Sequence, residues 1–147
     1  MIQRVQSIFL LVVIAVSAGL ILLPFVSYEN LFNTFTLTAF NKIYSSTWHY
    51  VAGSLNLLIL VLSCICLFLF KKRMLQFKLA NLLALLNVFL LAILLFANLI
   101  VVEEFLSGKK HTLWPSYLPV VSMICAYLAG IFIKKDENLV RSADRIR

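Results

Sequence analysis

Two histidines and a pair of glutamates are the residues of this sequence that could bind a metal ion. His49 and His111 offer imidazole nitrogens, and Glu103 and Glu104 offer carboxylate oxygens, all of which zinc and copper accept as ligands. No His-x-His or His-x-x-x-His spacing occurs, so the sequence does not fix the distances between these groups. Polar surface residues without any ligand explain them equally well. A metal or redox site around them is therefore one hypothesis, and we otherwise expect no cofactor.

The remaining reactive side chains do not form a catalytic pattern. Cys64 and Cys66 are two residues apart, so on a helix they point in different directions and a disulfide between them is geometrically poor. We interpret these thiols and Cys125 as buried and inert. The sequence contains no nucleophile–base pair, glycine-rich phosphate loop or paired intramembrane carboxylate. We therefore expect a protein that is not an enzyme.

Four long apolar stretches without Asp, Glu, Lys or Arg must position all of these residues. They occupy most of a chain of 147 residues that is 63% hydrophobic, with a mean hydropathy of +1.00. Each is about long enough to cross a hydrocarbon core of ~30 Å as a helix. The pattern predicts an all-α membrane protein, a four-transmembrane-helix bundle in which residues 1–147 form a single integral membrane domain. The predicted spans are Ile8–Phe25, His49–Phe70, Leu79–Val102 and Pro115–Ile133, followed by a cytoplasmic tail over residues 134–147.

The distribution of basic residues predicts the orientation. Ten of the thirteen Lys and Arg residues lie before span one, between spans two and three, or after span four, and three lie in the other two loops. Since Lys and Arg resist translocation, both termini should be cytoplasmic, in a bacterial inner membrane. The net charge of +7 then reflects contact with anionic lipid headgroups, and we expect no nucleic-acid partner.

The first span also resembles a secretory signal peptide. Arg4, an apolar run and the small residues Val16-Ser17-Ala18 fit such a signal with a cleavage site. The apolar run continues to Phe25, well beyond the usual length of a signal core. We therefore expect the segment to be retained as a span, with cleavage as the alternative.

The loop between spans one and two predicts a small β-hairpin or extended segment on the outer side. Thr34, Thr36 and Thr38 alternate with apolar residues, a period of two that favours a strand. Asn41-Lys42 would then turn the chain into a second strand over Ile43–Ser45. An isolated hairpin is marginally stable in water, so this one should pack on the helix ends or the membrane interface.

Amides and small residues inside the spans predict helix packing. An amide in hydrocarbon needs a hydrogen-bond partner on a neighbouring helix, and small residues four apart allow close helix approach. The alternative for the amides is a polar strip along a substrate path. The residues predicted to pack helices, within the bundle or in an oligomer, are Ala15, Gly19, Asn56, Asn87, Asn98, Ser122, Ala126 and Gly130.

The basic inner segments predict contacts with the membrane surface or a partner. Leu139, Val140, Ala143 and Ile146 fall at helical spacing among charged residues, which indicates a short amphipathic C-terminal helix. A solvated extension of span four is the alternative. The residues predicted to contact lipid or a partner are Lys71, Lys72, Arg73, Leu139, Arg141 and Arg145.

Both ends of the chain resemble a known family. The opening Met1–Gln6, the closing Lys135–Arg147 and Leu37–Phe40 are similar to small four-span membrane proteins of Bacteroidota, classed only as domain of unknown function 4293. The resemblance covers essentially the whole chain. It implies four helices in a Gram-negative inner membrane, and it brings no activity, cofactor or catalytic residue.

These observations favour an uncharacterised small inner-membrane protein that acts as a non-enzymatic subunit or scaffold. Its partners would be anionic lipid and a membrane protein or further copies of itself, because no charged group inside the spans suggests an ion path. One alternative is a binder or carrier of a lipophilic small molecule, a quinone or a lipid, at the aromatic outer mouth above Asn87 and Asn98. Another is an outer-face metal or redox protein around His49 and His111.

Overall fold

Four helices account for most of the computed structural model, which describes residues 2–24, 26–29, 34–37, 47–70, 72–105 and 109–144. The helices are α1 (Ile2–Leu22), α2 (Thr47–Phe68), α3 (Arg73–Phe105) and α4 (Leu118–Asp144). A 3-10 turn over Trp114–Tyr117 leads into α4. Three short strands are β1 (Val26–Glu29), β2 (Thr34–Leu37) and β3 (Lys109–Thr112).

All four helices are long and apolar enough to cross a membrane, which indicates a multi-pass membrane protein. Helix α3 begins at Arg73 rather than at the predicted Leu79, because the helix continues through a basic first turn that hydropathy alone assigns to a loop. The connection between α2 and α3 is tight. Lys72 donates its backbone N–H to the carbonyl of Leu69, and the Gln76 N–H closes the first turn of α3 on Lys72.

The helices form a ring in chain order, with α4 packed between α3 and α1. Cys66 near the end of α2 lies beside Gln76 near the start of α3. Trp48 at the start of α2 packs against Phe96 toward the end of α3. Helices α2 and α3 are therefore antiparallel. The fully buried side chains come from all four helices, among them Leu10, Ile59, Leu90 and Ala126. The outward side chains, such as Ile8, Leu57, Phe89 and Ile124, are apolar and exposed, as expected where lipid is the solvent.

The segments between α1 and α2 and between α3 and α4 contribute to a three-stranded antiparallel sheet in the order β2-β1-β3. The predicted strand segment Thr34–Leu37 is extended, but it pairs with the preceding β1, with Val26 opposite Leu37. The proposed turn at Asn41-Lys42 and the strand Ile43–Ser45 lie outside the described residues. On its other side β1 pairs with β3 from the segment between α3 and α4, with Val26 opposite Thr112. This pairing was not predicted, because the sequence Lys-Lys-His-Thr has no alternating apolar pattern.

The C-terminal tail corrects one prediction about the fold. Residues 134–144 continue α4 without a break, so the described part of the tail is an extension of span four and not a separate amphipathic helix. No glycine or proline interrupts the helix between Gly130 and Asp144, which explains why it continues. Its 27 residues give a length of ~40 Å, more than the ~30 Å of the hydrocarbon core.

Candidate functional site

One polar side chain from each helix is buried in the middle of the bundle. Ser17 of α1, Asn56 of α2, Asn87 of α3 and Ser122 of α4 are each at most 2% exposed. Burying a polar group away from water carries a free-energy cost unless it is hydrogen-bonded. We call these four residues the polar layer.

Contacts between neighbouring helices place the four residues at a similar height. The Asn56 amide reaches the backbone of Ser17, so these two are level. Gln76 contacts Cys66, and the distances along the chain from this contact are nearly equal: ten residues to Asn56 and eleven to Asn87. Asn56 and Asn87 therefore lie at nearly the same height on α2 and α3. On the other side, Gly130 packs against Asn81, which puts Ser122 and Asn87 within about one helical turn of each other.

The layer has more hydrogen-bonding capacity than it uses. Asn56 Nδ2 donates to the Ser17 carbonyl oxygen at 2.9 Å, which joins α2 to α1, whereas Asn87 Nδ2 donates to the Leu83 carbonyl in its own helix at 2.8 Å. The side-chain oxygens of all four residues have no hydrogen-bond partner in the described part of the chain. Amides and hydroxyls do not titrate near neutral pH, so these four side chains add no ionisable group to the middle of the bundle.

A second polar cluster lies at the end of the bundle that carries the basic residues. Gln6 Nε2 donates to the Phe132 carbonyl at 3.1 Å, joining α1 to α4. Gln76 Nε2 donates to the Cys66 carbonyl at 3.2 Å, joining α3 to α2, and the Cys66 thiol lies 3.7 Å from the Gln76 carbonyl oxygen. Both glutamines are 5% exposed. We call Gln6, Gln76 and the ion pair described next the inner rim.

The ion pair joins α3 to α4 at this rim. Arg73 Nη1 lies 3.2 Å from Asp136 Oδ2, and the two side chains are 26% and 15% exposed. The approach is not aligned for a hydrogen bond, so the contact is electrostatic. A cleft of about 560 Å³ opens here, with Gln6, Gln76 and both charged residues in its lining. The rim therefore links α1 to α4, α4 to α3 and α3 to α2.

A separate groove of about 510 Å³ runs between α3 and α4. Phe77 and Asn81 line it from α3, and Tyr127, Lys134 and Lys135 are among the α4 residues that line it. The Lys134 ammonium lies 5.7 Å from the centroid of the Phe77 ring, within cation–π range. The groove thus combines an apolar wall with positive charge at one end.

The small residues predicted to pack helices have two different environments. Ser122, Ala126 and Gly130 of α4 are buried, and a Cβ on Gly130 would lie 2.9 Å from Asn81 Oδ1. Ala15 of α1 is exposed, and a Cβ on Gly19 would meet only Leu23 Cδ1, at 3.9 Å. The α4 residues therefore permit close contact inside the bundle, whereas Ala15 and Gly19 leave an open edge on α1. Asn98 lies on α3, but its side chain is not among those described.

The candidate metal ligands are spread over three elements. His49 is in the first turn of α2, Glu103 and Glu104 are in the last turn of α3, and His111 is on β3 opposite Ser27. Their side chains are not among those described, so a metal site there stays a prediction. Within the described side chains, no group of three or more His, Cys, Asp or Glu residues could bind a metal. Cys66 is buried, Cys64 and Cys125 are half-buried, and all three are free thiols.

The predicted surface contacts are partly described. Lys72 and Leu139 are exposed, and Arg73 is half-buried in its ion pair instead of free for lipid. Lys71 and Arg145 lie outside the described residues, and the side chain of Arg141 is not described. Trp48 and Trp114 are exposed at the opposite end of the bundle, and the Trp48 ring packs edge-on against Phe96 at 5.1 Å.

Sequence reasoning missed the residues that join most helices. Gln6, Ser17 and Gln76 were not predicted to pack helices, although each is a polar residue in or beside an apolar segment. The eleven-residue spacing from Gln6 to Ser17, and again from Gln76 to Asn87, is about three helical turns and places each pair on one face. That repeated spacing was a signal that could have identified them.

Comparison with known proteins gives a family without an activity. The family model described as Domain of unknown function (DUF4293) matches residues 2–146. No curated protein matches the chain.

Proposed function

Because the chain belongs to the DUF4293 family, whose description names no activity, we propose a function from its own geometry: a non-enzymatic subunit or scaffold of a membrane assembly. In this proposal residues 1–147 form one integral membrane domain in the inner membrane of a bacterium of the Bacteroidota. Both termini are cytoplasmic, so the inner rim and the end of α4 face the cytoplasm. The excess of Lys and Arg at that end supports this orientation.

The extension of α4 beyond the bundle is the observation that carries the proposal. Leu139 and Val140 are 49% and 40% exposed on a stretch that also carries exposed Lys134, Lys135 and Asn138. Because α4 is continuous and the Arg73–Asp136 pair joins it to α3, the extension has a defined direction relative to the bundle. A rigid helix with exposed apolar residues above a basic surface suits the docking of another protein.

The open edge of α1 supports the same role inside the membrane. Ala15 and Gly19 lie four residues apart with free space around them, so a helix of a partner or of a second copy can approach the α1 backbone closely. This edge is separate from the α4 extension. A subunit would use both surfaces, one in the bilayer and one in the cytoplasm.

Crosslinking in native membranes followed by mass spectrometry tests the proposal. We expect the full chain to crosslink to a defined partner, and Leu139→Lys to reduce that crosslink at least fivefold. Ser142→Lys adds the same charge to an exposed position on the same extension, and it should leave the crosslink within twofold. A protein that purifies alone in mild detergent and forms no crosslink would contradict a subunit role.

The orientation has its own test. A reporter enzyme that is active only in the cytoplasm should be active when fused after Arg147. Activity of a periplasm-specific reporter at that position would contradict the proposed topology, because it would put the inner rim and the end of α4 on the periplasmic side.

The orphan oxygens of the polar layer favour a second candidate, a binder or carrier of a lipophilic molecule such as a quinone. Asn87 Oδ1 could accept a hydrogen bond from a polar headgroup at mid-membrane, and the Ser122 hydroxyl could accept one or donate one. Organic-solvent extraction of the purified protein, followed by mass spectrometry of the small molecules released, tests this. Loss of a co-purifying molecule in Asn87→Leu would support it, and an extract free of any such molecule would remove it.

A further inference from the structure

The groove between α3 and α4 has positive charge at one end and apolar walls along the rest. Lys134 and Lys135 lie at the end nearest the inner rim, with Asn138 one turn further along α4. Tyr127 and Ile131 line the part that runs toward the membrane centre, and they are 58% and 44% exposed. The groove therefore opens outward, toward lipid.

Its charge is uncompensated by its own lining. The described lining of the groove contains no Asp or Glu. Asp136, the carboxylate adjacent in sequence to Lys135, is paired with Arg73 and lines the cleft of the inner rim instead. The ring of Phe77 beneath the Lys134 ammonium holds the positive charge at the groove without neutralising it. Glu137 shares a smaller neighbouring pocket with Lys134 but does not line this groove, so the described lining itself carries only positive charge and suits an anion.

The shape of the groove depends on a close approach between the two helices. Gly130 is buried against Asn81 and Ala80, so α4 lies near α3 at this level and forms the floor. The exposed Asn81 lines the groove above this contact. From Tyr127 to Lys134 the groove follows seven residues of α4, or ~10 Å, which fits within the ~15 Å depth of one leaflet of the hydrocarbon core.

We propose that this groove binds one anionic glycerophospholipid of the adjoining leaflet. The headgroup phosphate would lie at Lys134 and Lys135 and accept a hydrogen bond from the Asn138 amide. An acyl chain would lie along Tyr127 and Ile131. The inference requires only that α3 and α4 cross a bilayer, and it does not depend on a subunit or scaffold role.

Competition between two lipids tests the headgroup part. The full chain, purified in mild detergent, is given equal amounts of phosphatidylglycerol and phosphatidylcholine with identical acyl chains, and retained lipid is counted by native mass spectrometry. We expect phosphatidylglycerol to be retained preferentially. In Lys134→Gln/Lys135→Gln its binding should weaken about fivefold for each lysine removed.

The control variant removes the same charge elsewhere. Lys72 and Lys78 are exposed at the same end of the bundle and outside this groove. Lys72→Gln/Lys78→Gln should leave phosphatidylglycerol retention within twofold. An equal loss in both double variants, or equal retention of the two lipids by the unmodified chain, would overturn the proposal in favour of general surface attraction.

A third variant tests the acyl chain with both lysines intact. Ile131→Trp places a larger side chain in the apolar part of the groove and should reduce phosphatidylglycerol retention at least threefold. Unchanged retention in this variant, or displacement of the lipid by millimolar inorganic phosphate, would contradict a site that holds the whole lipid. Ile131 lies in the groove but outside residues 134–144, so Ile131→Trp should leave the partner crosslink of the α4 extension unaffected, and with this variant the two proposals can fail separately.

Discussion

The polar layer and the inner rim use similar side chains with different results. Gln6 and Gln76 of the rim each donate to a backbone carbonyl of another helix, whereas Asn87 of the layer donates within its own helix. Helix position does not explain the difference, because Phe132 lies inside α4 and its carbonyl still accepts the Gln6 amide. In the same way the Ser17 carbonyl inside α1 accepts the Asn56 amide of the layer. Both rim amides therefore join helices, whereas of the two layer amides only Asn56 does, and we expect Asn87 to contribute least to helix alignment.

The largest expected effect comes from reversing one charge at the rim. Arg73→Glu would place two carboxylates together at a site where Asp136 is only 15% exposed, and we expect a loss of about 3 kcal/mol in the free energy of unfolding. Unfolding by sodium dodecyl sulfate in mixed micelles measures it. The exchange Arg73→Glu/Asp136→Arg should recover most of the loss. No recovery would show that the pair does not join α3 to α4.

Removing a rim amide should have the next largest effect. Gln76→Leu keeps the side chain apolar and similar in size, but it removes the donor to the Cys66 carbonyl, and we expect a loss of about 2 kcal/mol. The same detergent titration measures it. Gln76→Glu is the companion variant, because it keeps the shape and loses the N–H donor. If Gln76→Leu were neutral, the rim would be no more stabilising than the layer.

The polar layer should respond in the opposite direction. Asn87→Leu removes an orphan oxygen and only an intrahelical bond, so we expect a gain of about 1 kcal/mol. Asn56→Leu also loses the bond to Ser17, and interhelical bonds of this kind average about 0.6 kcal/mol, so its net change should be smaller. A clear loss of stability in Asn87→Leu would mean that a buried water or ligand occupies the layer.

Two glycine substitutions give the smallest expected effects. Gly130 lies on α4 between the layer and the rim, and an added methyl would meet Asn81 Oδ1, the end of a side chain that can rotate away. We expect Gly130→Ala to cost about 0.5 kcal/mol and Gly19→Ala to be neutral or slightly stabilising. Thermal unfolding of the two variants in one detergent measures the difference. A large cost at Gly130 would mean that Asn81 is fixed in place, which would strengthen the view that the helix alignment near the rim is rigid.

Hydropathy and residue size predicted much of the fold. Hydropathy indicates which segments lie in lipid, and small residues indicate where another helix packs closely. The four spans follow from lipid as the solvent, and Ser122, Ala126 and Gly130 indicate the buried face of α4. The helix order around the ring, the continuity of α4 and the ion pair between Arg73 and Asp136 could not be predicted. They depend on which helices meet in space, and a single sequence carries little of that information.

The polar layer and the groove could be predicted only in part, for the same reason. Asn56 was expected to join helices and does donate to α1, but nothing in the sequence distinguished it from Asn87, whose bond is local. The groove between α3 and α4 combines residues more than fifty positions apart, such as Phe77 and Lys134, so no local sequence motif could predict it. The sequence predicted surface contacts for Lys71 and Lys72, but it gave Lys134 and Lys135 no role of their own.

The three-stranded sheet has a consequence for the integrity of the chain. Strand β1 follows α1 and is paired on both sides, with β2 ahead of α2 and with β3 ahead of α4. Backbone hydrogen bonds therefore connect the strand after α1 to the strands that precede α2 and α4, independently of the peptide link over residues 30–33. Two polypeptides translated separately, one stopping after β1 and the other starting before β2, should reassemble in the bilayer into a complex that survives extraction.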